Sequence, residues 1–140
     1  MRLKFIAELA LNLHLKGDST MRYMMLVRTA KPGPPPQSFN DAMAKMSEEA
    51  TKSGQFVGGG MLGGPAMSAR VQLANGKVSV VDGPFSEAKE VIGGWAILMA
   101  NSKEGALRAA REFMELHRKY WPEFEGESEV RPMFEPGKGP

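Results

Sequence analysis

The feature that most constrains the fold is the dipeptide Asn75-Gly76, which lies between two short runs rich in apolar residues. Asn-Gly at this spacing favours the type I′ turn that joins neighbouring antiparallel strands. We therefore predict a β-hairpin with strands over 69–74 and 77–81.

Two stretches with apolar residues at helical spacing flank this hairpin, and each is predicted to form an amphipathic helix. The first starts at a Ser38 cap and ends at Gly54, and the second starts at Asn101 or Ser102. Further strands are predicted over 22–29, 55–62, 91–100 and around 130. This order predicts an α+β fold of ferredoxin-like type, with one antiparallel sheet and both helices on one face. A second copy of the chain would cover the other face, which predicts a homodimer.

Length and composition suit one domain, since 140 residues with 42% hydrophobic content can build a single core. The net charge is only +2. Acidic and basic residues alternate on the second helix, as on a solvated face, so we expect no nucleic-acid partner. No apolar run approaches the roughly 20 residues that span a bilayer, so we expect no membrane partner. The absence of cysteine permits a reducing compartment, and we expect a cytoplasmic protein.

Three segments are predicted along the chain. Residues 1–20 interrupt their apolar positions with Glu8, Asn12 and His14, unlike a signal peptide, and are interpreted as an extension ahead of a natural start at Met21. Residues 21–135 form the domain, and residues 136–140 form a frayed tail.

The segment from Asp82 to Glu90 carries the densest chemistry, with three carboxylates and a lysine directly after a strand. Because Pro84 keeps Gly83 out of helical geometry, Asp82 lies at a rigid strand end, where a general base can be held in a fixed direction. An Asp-Gly turn followed by a solvated turn is the structural alternative, and such turns are common.

The motif Asp82-Gly-Pro-Phe85, followed by Glu87, Lys89-Glu90 and Gly94, resembles the signature of YCII-related proteins of the DGPF type. The resemblance extends over residues 21–135, from the opening strand to Glu129-Val-Arg-Pro132. It implies a dimeric α/β barrel with a pocket between sheet and helices and the motif aspartate as its polar centre. Some related proteins are enzymes that act on small ring compounds, and others are encoded beside sigma-factor genes.

The resemblance makes Asp82 the candidate catalytic residue of a small-molecule enzyme. Relatives of the dehydrochlorinase kind pair this aspartate with a histidine, whereas here His14 lies in the extension and His117 is predicted to be a packed core residue. Candidate ligand-binding residues near Asp82 or able to stack on a ring are Arg28, Pro84, Phe85, Glu87, Lys89 and Trp95. For Arg28 a structural ion pair with Asp82 is the alternative, and for Trp95 it is a buried anchor.

Two further functions stay open. The domain could be a non-catalytic module that binds a ligand or a protein in transcriptional or stress regulation. The motif loop could also be architectural, with Arg131 paired to Glu87 or Glu90 across a dimer seam.

No cofactor or metal is expected. Gly58-Gly-Gly60-Met-Leu-Gly63 fits a dinucleotide fingerprint by letter, but the hairpin follows where that fingerprint needs a helix. Two distant histidines and no cysteine offer a poor set of metal ligands.

Overall fold

The computed structural model describes residues 20–83 and 91–139. The helices in this part of the chain are α1 (Gln37–Ser53) and α2 (Lys103–Tyr120), and a single 3₁₀ turn covers Pro65–Met67. Its strands are β1 (Met21–Thr29), β2 (Phe56–Met61), β3 (Ala69–Ala74), β4 (Lys77–Asp82), β5 (Val91–Ala100) and β6 (Gly126–Pro132). None of these helices is long and apolar enough to cross a bilayer.

The central sheet has the strand order β2-β5-β1-β6, and every neighbouring pair is antiparallel. Alternate residues of β1 are buried, from Tyr23 through Met25 and Val27 to Thr29, because they face the helices. The α+β prediction is confirmed, and the architecture is compatible with the ferredoxin-like type.

The hairpin prediction is confirmed in its turn, since Asn75 and Gly76 both have positive φ, 54° and 73°. The prediction of one common sheet differs from the structure. Strands β3 and β4 form a separate two-stranded sheet, and within the described residues they pair only with each other. Every residue of both strands is exposed, so no burial ties the hairpin to the central sheet.

The helix ends agree with the sequence at two of three predicted positions. Gly54 ends α1 in the left-handed region (φ 82°), and the Ser102 hydroxyl accepts from the Gly105 N–H at 3.1 Å to cap α2. Ser38 does not cap α1. The extended Pro36 precedes the helix, and its carbonyl oxygen accepts from the N–H groups of Phe39 and Asn40.

The core lies between the central sheet and α2. Met25, Ala96, Leu98 and Ala110 form one buried cluster, and Tyr23, Ala100 and Ala106 form another. Small residues on α2 let this helix approach β5 closely. Helix α1 packs against α2 and β2, which leaves space between α1 and the middle of the sheet.

Candidate functional site: a cavity beneath the first helix

A cavity of about 650 Å³ separates α1 from the sheet. Its walls come from α1, from the inward face of β1, from β5 and from the C-terminal half of α2. A volume of this size is typical of sites for small organic molecules. The exposed Gly60, Met61 and Leu62 at the end of β2, with the exposed Pro32 and Gly33, border the cavity where it meets solvent.

The apolar stripe of α1 shows how the sequence produces this space. Phe39 and Ala50 at its two ends are buried, whereas Met43 and Met46 between them are only half-buried although they point the same way. Methionine is flexible and polarizable and suits an adaptable wall. The stripe therefore packs against neighbours at its ends and borders the cavity in its middle.

Glycines on β2 and β5 form part of the opposite wall, where they place no side chain. Gly59, Gly60, Gly93 and Gly94 all line the cavity. At Gly59 a Cβ atom would lie 2.6 Å from the Trp95 carbonyl oxygen and 3.0 Å from the Phe56 ring. The close approach of β2 to β5 therefore requires glycine at this position.

Aromatic rings close one end of the cavity. His117 is 4% exposed and lies 4.5 Å from the Phe39 ring and 4.4 Å from the Phe124 ring, measured between centroids. The Phe113 ring meets it edge-on at 4.6 Å, and the Trp121 ring lies nearly parallel to it at 6.0 Å. These separations are those of favourable ring pairs, so the end wall is a closely packed aromatic cluster.

The environment of His117 determines its protonation. Burial lowers the pKa of the imidazole below its ordinary value of 6.5, and the hydrogen bond to the Phe113 carbonyl opposes this more weakly. Nδ1 lies 2.9 Å from that carbonyl oxygen, which can only accept, so Nδ1 carries the proton. In the neutral ring Nε2 is therefore an acceptor at the aromatic end of the cavity.

Gln55 is the buried amide of the cavity wall. It is 2% exposed, its backbone oxygen accepts from the Met99 N–H, and its backbone N–H donates to the Ser53 hydroxyl. Its side-chain Nε2 is buried and donates to no group among the described residues. A buried donor without an acceptor costs free energy, so this amide is prepared for an acceptor that the described residues do not provide.

Within the described part of the chain the cavity wall contains no lysine or arginine, whereas Glu112 belongs to it. The same residues hold no group of three or more acidic or histidine side chains arranged to bind a metal. The wall is apolar apart from a few positions, chiefly Thr29, Asn40, Ser47, Gln55, Glu112 and His117.

The described residues that the sequence identified as site candidates lie in three different places. Trp95 belongs to the cavity wall. Arg28 lies on the opposite face of the sheet, where its Nη2 is 3.0 Å from Oε1 of Glu129 rather than paired with Asp82. Asp82 ends β4 opposite Ala69 in the hairpin, is exposed, and does not line the cavity.

The other four candidates, Pro84, Phe85, Glu87 and Lys89, lie outside the described residues, as do His14 and nearly all of the predicted extension. Val91, the first described residue after the motif, lines the cavity.

Sequence reasoning did not identify the two polar residues at the ends of the cavity. The burial predicted for His117 is confirmed, but its place in a cavity wall was not foreseen. The aromatic residues at 113, 121 and 124 around it were the available signal. Gln55 carries a weaker signal, a lone amide at the start of a predicted strand.

The sequence model of the YCII-related domain matches residues 21–117, which is more than half of the chain. The chain therefore belongs to the YCII-related domain family. Comparison with curated proteins gave no significant match.

Proposed function

We propose that this protein binds a small, largely apolar molecule in the cavity beneath α1. The observation that carries the proposal is a cavity of about 650 Å³ with three buried polar residues, Thr29, Gln55 and His117, in an otherwise mainly apolar wall. A few precisely placed polar groups in an apolar pocket are the usual design of small-molecule sites.

Filling the cavity tests the proposal. We would screen small ring compounds by the change in thermal midpoint, then measure affinities for wild type and Ala50→Phe. Ala50 is buried in the cavity wall, so a phenyl ring there occupies ligand space. Ala44→Phe is the matched control, because Ala44 lies on the same helix and is exposed. Loss of binding in Ala50→Phe alone is expected. Equal affinity in both variants would place the ligand elsewhere and contradict the proposal.

Binding is the function that the geometry favours over proton transfer by Asp82. In one copy of the chain this carboxylate is exposed on the hairpin, outside the cavity wall. Asp82→Asn is therefore expected to leave affinity unchanged. If it abolishes binding or a measured turnover, the polar centre of the site is Asp82, as the family resemblance implies.

We also propose that two copies pair through the outer face of the central sheet and the hairpin. Val71, Leu73, Val78 and Val80 lie on one face of the hairpin, each between 65% and 73% exposed. An apolar patch of this kind is typical of an interface.

The charges on the outer sheet face support a second copy as the occupant. Glu129 bonds both Arg28 and Arg131, so the two arginines of this cluster share one carboxylate partner. Covering paired charges leaves none of them isolated, so the face avoids the larger cost of burying an uncompensated charge.

Sedimentation velocity tests the pairing. Wild type is expected to sediment as a dimer at micromolar concentration, and Leu73→Lys as a monomer. Leu107→Lys is the control, since Leu107 is an exposed leucine on α2, away from the hairpin. A monomeric wild type would contradict the proposed pairing.

We also propose that the chain belongs to the DGPF type of the family. This assignment rests on the motif Asp82-Gly-Pro-Phe85.

A further inference from the structure

The cavity is elongated along α1. Phe39 and Ala50 both line it and are eleven positions apart on one helix. At 1.5 Å of rise per residue this spacing corresponds to about 16 Å along the helix axis. Gln55, just beyond the helix, also belongs to the wall. The long axis therefore runs from the aromatic end at His117 to the amide end at Gln55.

The two ends differ in chemistry. At the aromatic end the rings of Phe39, Phe113 and Phe124 surround His117 within 4.6 Å between centroids. Flat apolar rings favour a planar ring as their neighbour. At the other end the buried Nε2 of Gln55 has a proton to donate and no acceptor among the described residues. Only an oxygen or nitrogen lone pair satisfies such a donor.

The charge of the wall limits the ligand further. In the described residues no lysine or arginine borders the cavity, and Glu112 does. Moving a carboxylate or phosphate from water into such a site would leave a desolvated charge without a lysine or arginine partner among the described residues. A neutral acceptor such as a ketone, ester or amide carbonyl does not meet this penalty.

From these observations we propose that the cavity selects an elongated, uncharged molecule with a ring at the His117 end and a carbonyl oxygen at the Gln55 end. This inference rests on the proposed function and names its ligand class. The terminal amide of glutamine has a broad, roughly two-fold torsion, so it can turn towards a ligand acceptor without movement of the backbone.

Three matched probes test the inference. Phenylbutyl methyl ketone carries the ring, the chain and the carbonyl, hexylbenzene replaces the carbonyl by a methylene, and phenylpentanoate replaces it by a carboxylate. Wild type is expected to bind the ketone about tenfold more tightly than hexylbenzene, the size of effect that one buried hydrogen bond produces. Phenylpentanoate is expected to bind more weakly than the ketone.

The variant Gln55→Met keeps the length of the side chain and removes the donor. The preference for the ketone over hexylbenzene is expected to disappear or to reverse, because the buried carbonyl then has no donor. Gln72→Met is the matched control, because Gln72 is exposed on the hairpin and the same substitution there keeps the tenfold preference. In wild type the side-chain amide signals of Gln55 in a ¹H–¹⁵N spectrum are expected to shift with the ketone and not with hexylbenzene. This second measurement decides the matter if Gln55→Met does not fold.

The outcomes separate the two proposals. Equal affinity of wild type for all three probes, or an unchanged preference in Gln55→Met, would overturn the carbonyl inference and leave a cavity that binds by apolar contact. Tightest binding of phenylpentanoate would overturn the requirement for a neutral ligand. Failure of the three probes and of the whole ring-compound screen would instead contradict the proposed function itself.

Discussion

The imidazole Nδ1 of His117 lies 2.9 Å from the backbone carbonyl oxygen of Phe113, one turn earlier in α2. This bond orients the ring among its aromatic neighbours and places the proton on Nδ1. The only histidine in the described residues is therefore both a core residue and a neutral acceptor in a cavity wall.

Stability is expected to depend on pH through His117. Its pKa in the folded protein lies below the ordinary 6.5, so the unfolded chain takes up the proton first as the pH falls. The stabilisation from a neutral His117 is complete above pH 6.5 and is lost as the pH falls towards the lowered value. Urea unfolding above and below pH 6.5 measures this loss, which His117→Phe should reduce.

The chain has one other histidine, so His14→Gln is the control for ordinary histidine titration. It is expected to keep the wild-type pH dependence. If it removes that dependence and His117→Phe does not, the burial argument for His117 is wrong.

Loss of the Ser102 cap is expected to destabilise α2. The hydroxyl accepts from the Gly105 N–H, which otherwise has no helical partner. Ser102→Ala should lower the free energy of unfolding by about 1 kcal/mol in urea denaturation. Asn101→Ala, one position earlier, should change it by less than about 0.5 kcal/mol. Equal effects would show that the cap is not specific to Ser102.

Gly83 of the motif is expected to resist any side chain. A Cβ atom there would lie 2.1 Å from the Pro65 carbonyl oxygen and 2.8 Å from that of Ser68, both backbone atoms. The Gly83 N–H also donates to the Ser68 oxygen at 2.8 Å, so the clash would break the contact between hairpin and 3₁₀ turn. Gly83→Ala should cost about 1–3 kcal/mol of unfolding free energy.

Gly58→Ala is the control for Gly83→Ala, because no atom lies within 4 Å of a Cβ built at Gly58. A smaller loss of stability is expected from it in the same denaturation experiment. If Gly83→Ala is tolerated equally well, the close backbone approach at the motif is not a constraint.

The stability of the folded protein is expected to decrease in acid because of the charged cluster on the outer face of the sheet. Hydrogen bonds from Arg131 and then Arg28 hold the pKa of Glu129 below its usual value of 4.5. The folded protein therefore keeps this carboxylate charged at a pH where the unfolded chain protonates it. This contribution is present above pH 4.5 and is lost as the pH falls through the lowered value.

Glu129→Gln should flatten stability below pH 4.5 in acid titrations followed by circular dichroism. Glu127→Gln is the control, since Glu127 is exposed on the same strand. If stability below pH 4.5 becomes less dependent on pH in Glu127→Gln and not in Glu129→Gln, the ion-pair explanation is contradicted.

Several elements could be predicted because their causes are local. The Asn75-Gly76 turn needs only two residues that tolerate positive φ, and the Ser102 cap needs only a hydroxyl three positions before an N–H. The prediction of a Ser38 cap was wrong because the helix starts earlier, directly after Pro36, whose carbonyl oxygen accepts the first backbone hydrogen bonds. Each of these features depends on a few neighbouring residues, so it can be predicted from the sequence alone.

The candidate site could not be predicted in the same way, because its parts are far apart along the chain. Phe39, Gln55 and His117 line one cavity only because α1 and α2 pack beside one another over the same sheet. The motif drew attention to Asp82 through its composition, but the exposure of the hairpin is a property of packing. Composition shows which groups are present and does not show which of them face a common space.

By itself the sequence determined the fold class, the hairpin turn, the second helix cap and the burial of His117, since each follows from local geometry or from apolar periodicity. The resemblance implied a pocket between sheet and helices, but only the tertiary structure decided which residues line it and that the hairpin stands apart from the central sheet. The physical reason is that a cavity is what packing leaves unfilled. Glycines on one wall and methionines on the other leave a space that neither segment specifies alone.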